Sequence, residues 1–184
     1  MSPSLLLITV LVLSGCAYFV GVRRAFAVAG GPKKVKDLHS RPTYYGSLMA
    51  LWAAIPALIL FGFWLAFEDT IITQLVVADL PKEFHDVPAD KMTLVINDIK
   101  NLVTGNIASS ESAKLKSAAA HYSHLLNLSH AALAVVVLGM AVVSIGGIWW
   151  KIRPALRARN QVEVVVKAFM IVCSTIAVFT TVGI

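Results

Sequence analysis

Four long stretches of this 184-residue chain contain no charged side chain. A helix needs about 20 apolar residues to cross roughly 30 Å of hydrocarbon, because each residue advances the helix by about 1.5 Å. Three of the stretches reach that length, and the fourth comes close to it. The uncharged stretches are residues 1–22, 42–67, 131–150 and 168–184.

This pattern predicts an all-α integral membrane protein with four transmembrane helices. Between the second and third of these helices we expect an outer, periplasmic helical segment, because residues 68–127 are too many for a simple turn. The four transmembrane helices are predicted near residues 4–22, 45–67, 128–150 and 166–184.

Composition excludes the soluble classes of protein. Hydrophobic residues make up 58% of the chain and charged residues 14%, whereas an average soluble domain has about 25% charged residues. A soluble domain of this length needs more polar residues to cover its surface. Cys16 and Cys173 both lie in apolar stretches and form neither a metal motif nor a disulfide framework. A soluble enzyme, a disordered chain and a disulfide scaffold are therefore excluded.

The charges of the connecting segments predict the topology. Residues 23–41 carry six basic residues against one acidic residue, and residues 151–167 carry five against one. Residues 68–130 instead carry five lysines against eight acidic residues. Because basic residues collect on the cytoplasmic side, we expect both short segments in the cytoplasm, and the long segment and the N-terminus on the outer side of the membrane. The net charge of +6 then reflects membrane topology, and no nucleic-acid partner is expected.

The first apolar stretch resembles a helix inserted with its N-terminus outward. Its basic residues follow the apolar residues, whereas a cleaved signal peptide begins with them. The residues Leu13-Ser14-Gly15-Cys16 also resemble a bacterial lipoprotein cleavage box. The chain stays apolar through Val22, so we expect Cys16 to be a buried helical residue. Lipidation of Cys16 stays open as the alternative.

The periplasmic segment has one clear amphipathic helix. Apolar side chains recur at helical spacing at Met92, Ile96, Ile99 and Val103, which predicts a helix over residues 89–104. A second helix should begin near Glu111 and run on into the third transmembrane helix. Because an exposed apolar stripe is costly, we expect it to pack on that second helix, on the membrane surface or on another subunit.

Polar residues in this chain form no recognisable reactive site. His121, His124 and His130, with Asn127 between them, suggest a metal. One helix cannot gather all three imidazoles on one face, and no acidic ligand lies beside them, so we expect no metal. Motifs for nucleotide binding, metalloproteases and serine hydrolases are missing. Apart from Lys167 at the start of the fourth, no predicted transmembrane helix contains a charged residue, although such charges usually mark ion or substrate paths. We therefore predict no catalytic, cofactor-binding or metal-binding residue, and no enzymatic activity.

Other residues suggest how the helices meet each other and the membrane. Small residues in the third transmembrane helix predict close helix packing. They are Ala131, Ala132, Ala134, Gly139, Ala141, Ser144, Gly146 and Gly147. The aromatic residues of the second transmembrane helix suit the aromatic belt of a membrane interface. They are Trp52 and Trp64, one near each end, and Tyr44 and Tyr45 at the cytoplasmic entry.

Two stretches resemble the PstC-like permease of bacterial phosphate-specific ABC importers. The N-terminal extension of that permease is similar to residues 38–60, LHSRPTYYGSLMALWAAIPALIL. The entry of that extension into the permease core is similar to residues 158–184, ARNQVEVVVKAFMIVCSTIAVFTTVGI. The arrangement of helices and connecting segments is similar over most of the chain, and the amino-acid sequence is similar over about fifty residues.

The resemblance implies a division of the chain into three parts. Residues 1–150 would form an accessory N-terminal membrane unit, and residues 151–165 a basic cytoplasmic linker. Residues 166–184 would be the first helix of a truncated permease core, which we expect to continue beyond Ile184. Implied partners are the lipid bilayer, a second permease subunit, the ATPase subunits and a periplasmic phosphate-binding protein. No phosphate-path or coupling residue can be carried over, because that part of the family pattern is not in this sequence.

Three other functions compete with a phosphate importer permease. The first is a self-contained small membrane scaffold or assembly protein. The second is a periplasmic sensor module, but a sensor needs a long signal-relay linker after Lys151, and the fourth transmembrane helix follows almost at once. The third is a membrane enzyme, for which the sequence offers no constellation of reactive residues.

Overall fold

The described part of the chain folds into five α-helices and one short 3-10 helix. It comprises residues 2–78, 89–104 and 113–183 of a computed structural model. Four of the five α-helices are long and apolar enough to cross a membrane, and α3 is the exception. The predicted all-α fold class is thereby confirmed. The helices are α1 (Pro3–Ala29), α2 (Pro42–Ala78), α3 (Ala89–Thr104), α4 (Ala113–Lys151) and α5 (Ala158–Val182), and the 3-10 helix is Pro32–Asp37.

The observed helices are longer than the predicted transmembrane stretches. The amphipathic helix over residues 89–104 has the predicted bounds, whereas the predicted start near Glu111 lies outside the described residues. The fourth apolar helix begins at Ala158 instead of near residue 166. Arg159 and Glu163, one turn apart, form an ion pair there, and such a pair stabilises a helix. Part of the predicted linker is therefore helical.

The end of α1 depends on two glycines. Gly30 has a φ of 80° and Gly31 a φ of 113°, a region that side-chain-bearing residues rarely adopt. The Gly31 N–H donates to the carbonyl of Phe26 and the Gly30 N–H to that of Ala27. These bonds satisfy carbonyl groups that the helix end would otherwise leave unpaired.

The chain divides into two compact units. The first unit comprises Met1–Pro3 and Leu60–Val136, and the second comprises Ser4–Ile59 and Val137–Ile184. The first unit therefore holds α3 with the C-terminal part of α2 and the N-terminal part of α4. The second unit holds most of α1, the remaining parts of α2 and α4, and α5.

Two glycines bring α1 and α2 into close contact within the second unit. A Cβ atom at Gly46 would lie 2.6 Å from Val22 Cγ2 and 2.8 Å from the carbonyl oxygen of Tyr18. A Cβ atom at Gly21 would lie 2.8 Å from the carbonyl oxygen of Tyr45. Only glycine permits this approach, which is the common packing device of membrane helices.

The glycines of α4 do not have the packing role predicted for them. A Cβ atom at Gly139, Gly146 or Gly147 would meet no described atom within 4 Å. Among the small residues predicted to pack, Ala134 and Ala141 are buried, whereas these three glycines make no close contact. The backbone contact is made at Gly21 and Gly46 instead.

The core of the second unit also holds the chain between α4 and α5. Tyr45 is buried, and its hydroxyl donates to the carbonyl of Leu156 at 2.9 Å. The segment between α4 and α5 therefore covers the Tyr45 hydroxyl, and the interfacial position of Tyr45 stays a prediction. The other buried residues of this core come from four helices and from the segment between α4 and α5, and are Ala17, Ala25, Leu48, Met49, Ala53, Ile148, Ile152, Ala158 and Val162.

The first unit is built around α3. Ile99 is buried against Ile72 and Val76 of α2 and against Ala119 and Tyr122 of α4. Met92 and Val103 are partly buried in the same core. The stripe predicted from helical spacing is therefore packed, and its partners are the neighbouring parts of α2 and α4.

Candidate functional site

A polar cluster joins α2 to α4 in the first unit. Its members are Trp64 and Glu68 on α2 and Ser129 and His130 on α4. The side chain of Glu68 is only 13% exposed, and that of His130 is 19% exposed. Glu68 directly follows the uncharged residues 42–67. A carboxylate this close to a membrane-spanning stretch needs partners, because burying a charge without them is costly.

All three partners of Glu68 converge on one carboxylate oxygen, Oε1. The Ser129 hydroxyl donates to it at 2.7 Å, and the Trp64 indole N–H at 3.3 Å. His130 Nε2 lies 3.2 Å from the same oxygen. The indole N–H also lies 3.1 Å from Ser129 Oγ. The Trp64 indole N–H is therefore bonded to protein side chains. Its predicted position in an aromatic belt does not explain these two hydrogen bonds.

The cluster pairs a carboxylate with an imidazole. A carboxylate accepts hydrogen bonds, and an imidazole either donates or accepts according to its protonation. Partial burial strengthens the interaction between them relative to water. The contacts of these four side chains hold α2 against α4, and they assign no reaction to the cluster.

A second polar group lies beside the cluster. Lys100 of α3 contacts both carboxylate oxygens of Asp69, at 2.6 and 2.9 Å. The Tyr122 hydroxyl of α4 donates to Asp69 Oδ1 at 3.5 Å. Asp69 thus connects α3 and α4 to α2. Its side chain is largely exposed, so water weakens these interactions.

The histidines do not come together. His121 and His124 are exposed, and His130 is half-buried. Within the described residues no three His, Cys, Asp or Glu side chains are placed to hold a metal ion. The expectation that no acidic residue accompanies these histidines was wrong, because Glu68 contacts His130. The sequence did contain a signal for this contact. Glu68 directly follows one uncharged stretch, and His130 directly precedes the next. Two consecutive antiparallel transmembrane helices therefore place both residues at the same end of their apolar parts.

Most of α5 is exposed in the described part of the structure. From Glu163 to Gly183 every residue is exposed except Val165, which is half-buried. In its most apolar window 6% of the residues are buried, against 22–28% in the three other long helices. The hydroxyls of Thr175, Thr180 and Thr181 donate to carbonyls of their own helix. This helix therefore presents an apolar surface without a partner in the described part of the chain.

The two cysteines are also exposed. Cys16 lies inside the continuous helix α1, and its predicted burial was wrong because it lies on a face of α1 that no described residue covers. Cys173 lies on the exposed part of α5.

Comparison with protein families decides the class of protein. A family model described as "Phosphate ATP-binding cassette transporter" matches residues 7–180. The chain belongs to this family. Comparison with curated proteins and with solved structures gives no match. The phosphate ABC transporter relation expected from residues 38–60 and 158–184 is confirmed at this level. All five helices, including the exposed α5, lie largely within the matched residues.

In this member of the phosphate ABC transporter family, replacing Glu68 should loosen the contact between α2 and α4. Glu68→Ala removes the carboxylate partner of Ser129 and His130 and leaves the Trp64 indole N–H with Ser129 Oγ alone, which costs about 1–3 kcal/mol. Glu68→Gln keeps an oxygen acceptor and should cost less. Thermal unfolding of the detergent-solubilised protein measures both. The matched control is Asp69→Ala, which removes an exposed ion pair worth about 0–1 kcal/mol. Equal melting temperatures for Glu68→Ala and Asp69→Ala would contradict a stabilising role for the cluster.

Proposed function

We propose that this chain is the N-terminal membrane part of a PstC-like permease in a bacterial phosphate-specific ABC importer. Membership of the phosphate ABC transporter family supports the transport class. The observation that carries the permease assignment is the exposed surface of α5. A helix in this position is where the translocation core of such a permease would begin, whether the same polypeptide or another one supplies the rest.

The side chains of α5 suit contact with other membrane helices. Apolar side chains gain little from leaving lipid for protein, so membrane helices associate through close packing and hydrogen bonds. The exposed part of α5 combines bulky Phe169 and Phe179 with small Ala168 and Ala177 and with three threonines. Such alternation of large and small residues allows surfaces to interlock. In this proposal α1–α4 form the accessory unit and α5 forms the connection to the core.

The proposal includes an orientation in the bacterial inner membrane. Residues 23–41 and 151–167 lie in the cytoplasm and the N-terminus in the periplasm, because the excess of basic residues falls in these two segments. A cysteine introduced at Ser110 in a cysteine-free background should react with an impermeant maleimide in intact cells, and one at Lys34 should not. The reverse labelling would contradict the orientation.

The partners in this proposal supply the functions that the chain lacks. A periplasmic phosphate-binding protein would deliver the anion, and ATPase subunits would hydrolyse ATP. A second permease subunit would complete the pathway. No catalytic step is assigned to any residue between Met1 and Ile184.

A second candidate function is a self-contained membrane scaffold or assembly protein. The observation that favours it is the first turn of α5, where Ala158 and Val162 are buried in one core with Tyr45 and Ile148. In that case lipid would surround the rest of α5.

Photo-crosslinking from α5 distinguishes the two candidates. A benzophenone side chain replaces Phe179, which is exposed on α5, or Phe19, which is exposed on α1 and serves as the matched control. The permease proposal predicts that irradiation of native membranes links position 179 to permease peptides other than α1–α4, while position 19 links mainly to lipid. Lipid adducts alone at position 179 would favour the scaffold and contradict the permease assignment.

A further inference from the structure

A polar pocket lies in the second unit where the start of α2 approaches the start of α5. Its volume is ≈ 360 Å³, and it is lined by His39, Ser40, Arg41, Tyr44 and Arg159. Backbone hydrogen bonds hold its walls in place. The His39 N–H donates to the carbonyl of Pro154 at 3.3 Å, and the Arg159 N–H donates to Ser40 Oγ at 3.2 Å. Backbone groups fixed by hydrogen bonds therefore define the walls of the pocket, together with the ends of long side chains.

An apolar groove begins at the same tyrosine. The groove has a volume of ≈ 710 Å³, and Tyr44 lines both it and the polar pocket. The other lining residues follow one side of α5 for more than three turns. They are Val162, Glu163, Val166, Lys167, Met170, Ile171, Ser174 and Thr175.

The charges at this place favour an anion. Arg41 and Arg159 line the polar pocket, and Lys167 lines the groove one turn beyond Glu163. The residues that line the two cavities include a single carboxylate, that of Glu163 in the groove. It accepts a hydrogen bond from Arg159 Nε at 2.5 Å. The remaining guanidinium N–H groups of Arg159 can still donate, since a guanidinium carries five. The Ser40 oxygen accepts from the Arg159 backbone, which leaves its hydroxyl hydrogen available as a further donor.

We propose that the pocket and groove together bind one anionic phospholipid. The phosphate of the headgroup would lie among Ser40, Arg41 and Arg159, and an acyl chain would lie along α5. Basic pockets between helices at a membrane surface have the chemistry that recognises such headgroups, and guanidinium groups bind phosphate oxygens in pairs. This site goes beyond the proposed transport function and depends on it only for the assignment to the cytoplasmic leaflet.

The adjacency of the two cavities, which share Tyr44 as a lining residue, favours a lipid over free phosphate. A free anion would use the polar pocket and leave the adjoining apolar groove unused. A phospholipid matches both, because it carries its charged and apolar parts side by side, as the pocket and the groove lie side by side at Tyr44. The groove also lies on a helix that is apolar enough to cross a membrane.

Native mass spectrometry of the full chain tests the site. The protein is titrated in detergent with phosphatidylglycerol, with phosphatidylcholine of the same acyl chains, or with inorganic phosphate. Phosphatidylglycerol should bind more tightly than phosphatidylcholine, and Arg41→Gln should weaken it about fivefold. Arg153→Gln is the matched control, since Arg153 is exposed nearby and lines neither cavity. Val166→Trp should obstruct the groove and also weaken binding, whereas Val172→Trp, on a part of α5 outside the groove, should not.

Three results would overturn the proposal. One is equal binding of the two lipids. Another is an equal effect of Arg41→Gln and Arg153→Gln. The third is displacement of the lipid by inorganic phosphate together with unchanged binding in Val166→Trp, which would assign the pocket to a free anion. Melting temperatures of all four variants show whether each is folded. If Arg41→Gln does not fold, Val166→Trp still tests whether the lipid occupies the groove. The result is independent of the importer assignment, because the assay requires no transport.

Discussion

Gly46→Leu should separate α1 from α2 and strongly lower the melting temperature of the detergent-solubilised protein. The first atom of the new side chain would already fall 2.6 Å from Val22 Cγ2 and 2.8 Å from the Tyr18 carbonyl oxygen. A backbone oxygen cannot move aside as a side chain can. Overpacking of this kind costs about 1–3 kcal/mol or more, and the displaced helix would also uncover part of the core around Tyr45.

The matched control for this experiment is Gly15→Leu. Gly15 lies on α1, which is one of the two helices in this contact. A Cβ atom at Gly15 would meet nothing within 4 Å. Thermal unfolding of both variants should show a large decrease for Gly46→Leu and little change for Gly15→Leu. Similar melting temperatures would mean that the two helices do not make the close contact that the structure shows.

Ile99→Asp should detach α3 from the first unit while membrane insertion is retained. Ile99 is buried among Ile72, Val76 and Tyr122, and loss of an apolar side chain of this size costs about 1.5–3 kcal/mol. The introduced carboxylate would add the larger cost of a charge without a partner. Limited proteolysis of right-side-out membranes should therefore cleave the variant near α3 much faster than the unchanged protein.

Leu94→Asp provides the comparison for α3. Leu94 lies on the same helix and is exposed, so the same new charge meets solvent and should leave the cleavage rate nearly unchanged. Equal cleavage of Ile99→Asp and Leu94→Asp would show that the apolar stripe of α3 is not buried.

Much of the helical architecture could be predicted from the sequence, because it follows from local pattern. Uncharged stretches as long as a bilayer is thick identify the four long helices. The spacing of Met92, Ile96, Ile99 and Val103 identifies α3 and the face that it buries. Both signals depend only on neighbouring residues, and tertiary structure does not need to be known.

The contacts between helices could not be predicted in the same way. Gly21 and Gly46 are single glycines, and their meeting depends on the rotation of α1 and α2 about their axes. Tyr45 is buried by residues 152–157, more than a hundred positions away, and an aromatic residue near the end of an apolar stretch would equally suit an interface. The Glu68–His130 contact depends on the register of α2 and α4, which antiparallel pairing suggests only once both helix lengths are known.

Uptake of radiolabelled phosphate tests most directly whether this chain serves a phosphate importer. Cells lacking the gene that encodes it would be compared, at low external phosphate, with cells that carry the complete gene or its Gly46→Leu variant. Uptake of an unrelated solute through another ABC importer controls for general damage to the membrane. We expect ATP-dependent phosphate uptake to be lost without the gene, to return with the complete gene and to stay low with Gly46→Leu, while the other solute enters normally. Phosphate uptake that is unchanged by loss of the gene, under conditions in which the chain is present in the membranes of the parent cells, would contradict the importer assignment.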